Sequence, residues 1–321
     1  MFLFDIPAVA YADPWVMPFG QRLAALKGGT RRIVYFYGRP DNSTFRYRVY
    51  NMIQALESEA GEASAAYFCH DDLEHLELFA NRLDVLVVCC TLYDNRVNAL
   101  ISKVKSCGKP VLFDVDDLVF DPDYTHLILR TLDQDLRHPD VWDHWFGWIA
   151  RTGATLRLCD GAITPNAFLA ERIREFAGIP VAVVPNFMNR EQLAISERVL
   201  EQKRASGYRR NGRIHLGYFS GTPTHNKDFE LVASALERLL ETDPRVVVLV
   251  VGFMDLDERF TRFGGRVEVH PFQDFINLQR LMGGVEINLV PLQYNTFTHC
   301  KSELKYFEAA AVGTISVASP T

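Results

Sequence analysis

The side chains best suited to chemistry gather near the end of the chain, in HCKSELKYFEAAAVGTISVA at 299–318. Ser302 is a candidate N-cap for a helix that runs from 303 to 311 and stops at Gly313. At roughly 100° per residue, Leu304, Phe307 and Ala311 share one stripe, the expected core face. Lys301, Lys305 and Glu308 share the neighbouring stripe. Two ammonium groups, the amide dipole of a helix start and a carboxylate one turn further in suit a diphosphate with a diol beyond it. The same pattern also fits a surface helix with an ordinary ion pair.

A second cluster is Ser220-Gly221-Thr222-Pro-Thr-His225-Asn-Lys227-Asp228, after a strand-like run and before a helical one. Gly221 lets a backbone approach a phosphate, and Lys227 would set a point charge on it. The segment is neither GxxxxGK[ST] nor GxGxxG. A third is Asp114-Val-Asp116-Asp117. These acids can cap a loop. Asp114 and Asp116 can also take Mg²⁺ or Mn²⁺ as a DxD pair. A further option is that Asp116 and Asp117 face a cleft and act on an acceptor hydroxyl without metal. A second half that already holds a diphosphate site favours the metal-free role. Gly38, after the run 33–37, and Arg46 and Arg48 at the front of the next helix are candidates for holding an acceptor; surface ion pairing is the alternative for the two arginines.

These residues need elements to position them. IVYFY, LDVLVVCC, VLFDV, HLGYF, RVVVLVVG and VEINLVPL are apolar runs without alternation, as in strands buried on both faces of a parallel sheet. Helical segments separate them, capped at Asn42, Ser43 or Thr44 in the first unit. That rhythm predicts doubly wound α/β architecture, with ligands at the carboxyl ends of strands. It restarts after 210. The division is a leader over 1–30, a first Rossmann-like half over 31–207 and a second over 208–321. Charged residues 190–210 read as the linker. The spacing of Trp142, Trp145 and Trp148 fits packing better than a sugar platform.

Composition narrows the classes. At 321 residues the chain exceeds one ordinary core. A net charge of −6 argues against a nucleic-acid partner. Six cysteines without CxxC spacing read as thiols of a reducing compartment, so the cytoplasm is the expected location. No run reaches the length of a membrane span. The apolar start carries Asp5 and lacks a basic segment, unlike a signal peptide.

STFRYRVYNMIQAL, KPVLFDVDDLVFD, CDGAITPNAFLAERI, GYFSGTPTHNKDF and PLQYNTFTHCKSELKYFEAAAVGTISVAS together resemble GT-B retaining glycosyltransferases of the family 4-like, group 1 type, over about 31–321. The resemblance implies two Rossmann-like domains with parallel sheets facing a cleft. It implies transfer of a sugar from a nucleotide-diphosphate sugar to a glycan or lipid-linked acceptor, with retention, in surface polysaccharide synthesis. It implies no resident cofactor and no divalent metal. A lipid-linked acceptor would bring peripheral contact with the inner face of the membrane. Glu308 falls on the family's ribose carboxylate and Lys227 on its diphosphate lysine. Cys300 stands where the family has the first glutamate of E-x7-E, and Gly221 where it has an arginine. Lys301, Lys305 and His225 are the proposed substitutes, and the acids at Asp116 replace the family's histidine. The family continues beyond Val317-Ala-Ser-Pro, which implies an incomplete second half. A non-catalytic nucleotide-sugar-binding or scaffold module is the alternative.

Overall fold

Runs of Val, Ile and Leu that are apolar at every position bury both faces, so each needs helices above and below it. The computed structural model, which describes all residues except 27–29, 59–61, 222–225, 255–256 and 321, builds the runs into two parallel sheets. In the first half β1 (Arg31–Phe36), β2 (Ala63–Phe68), β3 (Val85–Cys89), β4 (Val111–Asp114), β5 (Gly161–Thr164) and β6 (Val181–Val183) lie in the order β2-β1-β3-β4-β5-β6. The second half contains β7 (Ile214–Ser220), β8 (Val246–Gly252), β9 (Val267–His270), β10 (Ile287–Val290) and β11 (Ile315–Ala318), in the order β11-β10-β7-β8-β9. The register is continuous along β7 and β8, from Ile214 opposite Val246 to Ser220 opposite Gly252.

One face of the first sheet packs Phe36, Phe68, Phe79, Phe113 and Phe120, all fully buried. The other packs Trp15, Phe45 and Tyr67. Each such side chain contributes on the order of 1.5–3 kcal/mol of hydrophobic stabilisation. The second sheet is covered on one side by Phe229, Leu236 and Leu240 of helix Asn226–Thr242. On the other side lie Met282, Ala309 and Val312.

The charged stretch 190–210 is mostly a helix, not an extended linker. Asn189 Oδ1 accepts from Gln192 N at 2.8 Å and caps helix Arg190–Ala205. Ile195 and Val199, four residues apart, are the apolar part of its buried stripe. Val199 lies so close to helix Phe275–Gly284 that a Cβ on Gly283 would come within 2.3 Å of Val199 Cγ1. The leader also has a packed place: Phe2 N donates to Gly284 O at 2.8 Å, and Trp15 stacks on Phe275 at 6.2 Å. Leader and helix therefore staple one edge of the two halves together.

Candidate functional site between the two halves

β1 and β4 end at Phe36 and Asp114, with Tyr37-Gly38 following β1, and β7 and β10 end in Ser220 and Val290. The segments beyond β1, β4 and β10 meet along the boundary between the halves, where Thr44 reaches Asp116 and Lys301 reaches Asp117. Helix Leu304–Ala311 is wedged there, and Gly313, at φ +65°, ends it as its sequence predicts. Its cap differs from expectation. Ser302 makes no cap bond; its Oγ accepts from Asn186 Nδ2 of the first half at 3.0 Å. Its buried face differs too. Leu304, Phe307 and Ala311 are half-buried, while Glu308 and Ala309 are buried. The helix turns its carboxylate inward because partners from two other elements meet it: Glu308 Oε1 accepts from Tyr47 OH and from Gln192 Nε2 at 2.7 Å.

Arg46 and Arg48 are not exposed acceptor ligands. They sit on a π-helical turn, Arg46–Tyr50, that leads into helix Asn51–Ser58; Asp41 caps the turn by accepting from Ser43 N at 2.7 Å and Phe45 N at 3.3 Å. Arg46 lies under the interface, 3.9 Å over the Tyr47 ring and 3.7 Å from Glu308 Oε1. Arg48 is completely buried. Its Nε and Nη2 donate to Asp114 Oδ1 and Oδ2 at 2.7 and 3.0 Å, and its Nη1 donates to Asn186 Oδ1 at 2.9 Å. A guanidinium so enclosed is a structural cation, and removing one partner of such a pair costs about 3–5 kcal/mol. Both oxygens of Asp114 accept from Arg48, so the triplet DVD does not present two open carboxylates to a metal. Gly38 does lie at the carboxyl end of β1, where its carbonyl accepts from His70 N at 3.5 Å.

Asp116 and Asp117 are half-buried beyond β4. Asp116 accepts from Thr44 Oγ1 at 3.2 Å, and burial together with the neighbouring Asp117 charge pushes its carboxyl up to about 7. Asp117 Oδ2 takes Lys301 Nζ at 2.6 Å across the boundary, and Lys301 also lies 4.5 Å over Phe297. Lys305 is half-buried one turn away, with Nζ 5.5 Å over the Tyr218 ring. Burial lowers its pKa against the pull of Asp228 and Glu308; its backbone carbonyl accepts from Asn288 Nδ2 at 3.0 Å, and among the described residues its ammonium makes no hydrogen bond or ion pair.

Among the described residues, Lys227 shares no hydrogen-bond or ion-pair partner with Glu308. It is exposed and reaches to the first half, donating to Arg130 O at 2.8 Å and pairing with Asp133 Oδ1 at 3.0 Å. Those partners end helix Thr125–Thr131, whose last carbonyl also accepts from Gln293 Nε2 of the second half at 3.0 Å. Gly221 is exposed; Thr222 and His225 lie outside the described residues. Cys300 is buried in the first half's core with Phe297, and its Sγ donates to Thr296 O at 3.2 Å. A carboxylate at that position would be desolvated among apolar groups, which accounts physically for the missing glutamate. Tyr47, Gln192 and Thr44 are not among the site residues the sequence suggests; Thr44 is there only one of three cap candidates. Their roles depend on partners as far as 261 residues away, and no local pattern signals them.

No protein-family model matches the sequence, and no curated protein is a sequence relative of it. Solved structures are similar in fold. WaaG, a glycosyltransferase involved in lipopolysaccharide biosynthesis, matches with a TM-score of 0.54 at 10% identity, over 90% of this chain and 81% of that one. An alpha-glucosyltransferase in complex with UDP and a 13-mer DNA matches at 0.54 with 13% identity, over 90% and 80%. Trehalose-6-phosphate synthase matches at 0.51 with 11% identity, over 90% and 84%. The chain has the GT-B fold. Its two parallel sheets are the two GT-B halves, and the Lys301–Asp117 pair spans the boundary between them.

Proposed function

We propose that the chain is a glycosyltransferase that moves a sugar from a nucleotide-diphosphate sugar to a glycan or lipid-linked acceptor in surface polysaccharide synthesis, with retention and without a metal. The observation that carries this reading is the Lys305 ammonium. A half-buried ammonium that makes no ion pair, and whose burial is only partly offset by the pull of Asp228 and Glu308, is costly, and an anion in the cleft would complete its neutralisation. Lys301 lies one turn before it, and Lys227 reaches the same boundary from the next loop. As the glycosidic bond breaks, negative charge grows on the leaving diphosphate, and these ammonium groups would stabilise it. Asp116, held near 7 and bonded to Thr44, suits the acceptance of the acceptor hydroxyl's proton. Glu308 would share its carboxylate between Tyr47 and the ribose hydroxyls. The occupied oxygens of Asp114 support the metal-free assignment. Six unpaired thiols support a cytoplasmic site of action, with the membrane's inner face presenting any lipid-linked acceptor. The DNA in one structural neighbour is not carried over, because the net charge of −6 opposes a polyanion.

The strapped position of Lys227 favours a second reading, a non-catalytic nucleotide-sugar-binding module. Both readings meet one experiment: a melting-temperature screen of UDP-, GDP- and dTDP-sugars, followed by detection of released nucleoside diphosphate for each sugar that stabilises. Stabilisation with release is expected. Stabilisation without release in the presence of glycan and polyprenyl-phosphate-linked acceptors assigns the module instead, and no stabilisation by any donor overturns both.

A further inference from the structure

Helix Pro139–Arg157 of the first half carries more aromatic surface than its packing uses. Trp145 and Trp148 lie against the core, as expected. Trp142 and Phe146 do not join it. Trp142 lies against His126 at 4.1 Å and stacks on Phe146 at 6.1 Å with 24° between the rings, and Phe146 is 43% exposed. At helical spacing, Trp142, Phe146, Ala150, Ala154 and Arg157 fall along one side of the helix. The lower part of that side opens into a hollow of about 490 Å³. Its floor is Ala150 and Ala154, and its walls are Phe176, Asp121, Asp123 and Glu175. Arg157 is laid 4.1 Å over the Phe176 ring, which fixes its planar donors at the rim. The hollow shares no lining residue with the cleft site.

We propose that this outer face binds a neutral oligosaccharide. An aromatic shelf offers the flat apolar surface that the C–H face of a pyranose ring covers. The planar carboxylates and the guanidinium offer acceptors and donors to hydroxyls at the ring's edge. Two small alanines leave room for a ring between them. Arg172 pairs with Glu175 at 2.7 Å, yet three carboxylates against two guanidinium groups still disfavour phosphates and uronates, and no group of His, Cys, Asp or Glu among the described residues is arranged to hold a metal. From Trp142 to Arg157 the helix extends about 22 Å, so the ligand is a chain rather than a single sugar. The site would hold a growing or acceptor glycan at a distance from the cleft, yet its binding does not depend on the transferase reading.

The test is titration of the full chain with maltohexaose, cellohexaose, chitohexaose and hexagalacturonate, followed by tryptophan fluorescence and calorimetry. At least one neutral hexasaccharide should bind and hexagalacturonate should not. Phe146→Ala should weaken binding about fivefold. Ala154→Lys, which fills the floor with a good helix former, should weaken it by tenfold or more. Both variants should melt with the parent and keep its response to nucleotide sugars, so a failed transferase assignment would not disturb this result. Absence of binding by all three neutral chains, binding unaffected by Ala154→Lys, or tighter binding of the uronate would overturn the proposal.

Discussion

Replacing Lys305 by Met separates a ligand-binding cation from a structural one. Met keeps the unbranched length and the contact with Tyr218 but removes the charge. In the parent protein three influences disfavour that charge: burial, the nearby Lys301, and the position in the first turn of helix Leu304–Ala311, where the dipole repels cations. Attraction to Asp228 and Glu308 offsets them in part, and the net effect is a lowered pKa. Lys305→Met should therefore stabilise the unliganded protein by about 1 kcal/mol, or roughly 2 °C in melting temperature for a chain of this size. The same change should remove a charge-assisted contact to the diphosphate, about 1.5–3 kcal/mol, and raise the Kd for a nucleoside diphosphate roughly 10- to 150-fold. Alkaline pH adds a check. A lysine whose folded pKa lies below its unfolded value binds its proton more weakly when folded, so parent stability should gain a contribution as pH rises from the lowered value toward 10.5. That gain should be missing in the variant. Differential scanning calorimetry over pH and isothermal titration with UDP and GDP measure both effects. A variant that melts below the parent, or that binds nucleotide as the parent does, refutes the reasoning.

Two further outcomes follow from the cleft. Asp116 has a folded pKa of about 7, above the ordinary 3.8, so it contributes stability below 3.8 that is lost as pH rises through 7. If it accepts the acceptor's proton, transfer should rise with pH around a midpoint near 7; Asp116→Asn should abolish that limb in a pH–rate profile and reduce the pH dependence of melting between 4 and 7. Lys227 is shared between Asp133 and the proposed diphosphate. Asp133→Asn should release it and tighten nucleoside-diphosphate binding by up to about fivefold, the value of an exposed pair. Unchanged affinity by calorimetry would remove Lys227 from the donor site.

What the sequence discloses and what it hides divide by the range of the causes. Runs such as RVVVLVVG are apolar at every position, and that property alone requires a strand covered on both sides. β8 and its place in a parallel sheet were legible for that reason; the strand order was not. Helix Arg190–Ala205 reads as a linker because its exposed faces are charged and its buried stripe, Gln192, Ile195, Ser196, Val199 and Lys203, has only two apolar members. Arg48 looks like a surface cation at the front of a helix until Asp114, 66 residues away, is brought against it. Glu308 was legible as a chemically special carboxylate, but its burial was not, since that depends on Tyr47 and Gln192 arriving from separate elements.

The placement of Cys300 bears on how the cleft would work. Phe297 and Cys300 follow β10 of the second half in sequence, yet they are buried in the core of the first. Lys301 comes directly after them and is paired with Asp117 of the first half, whereas Ala309 and Val312 of the next helix belong to the second half's core. The passage from one body to the other is therefore made between Lys301 and Ala309, within the segment that carries Lys305. Any change in the angle between the halves must alter the separation of Lys301 and Lys305. The polar contacts across the boundary, such as Asn186–Ser302 at 3.0 Å and Gln293–Thr131 at 3.0 Å, are each worth only about 0.5–1.5 kcal/mol net and can be exchanged for water. The leader and helix Arg190–Ala205 also hold the halves together, the helix through buried contacts beside helix Leu304–Ala311 such as Gln192 Nε2 to Glu308 Oε1 at 2.7 Å. A diphosphate bound to both ammonium groups would bridge the two halves, so donor occupancy would bias the angle between them.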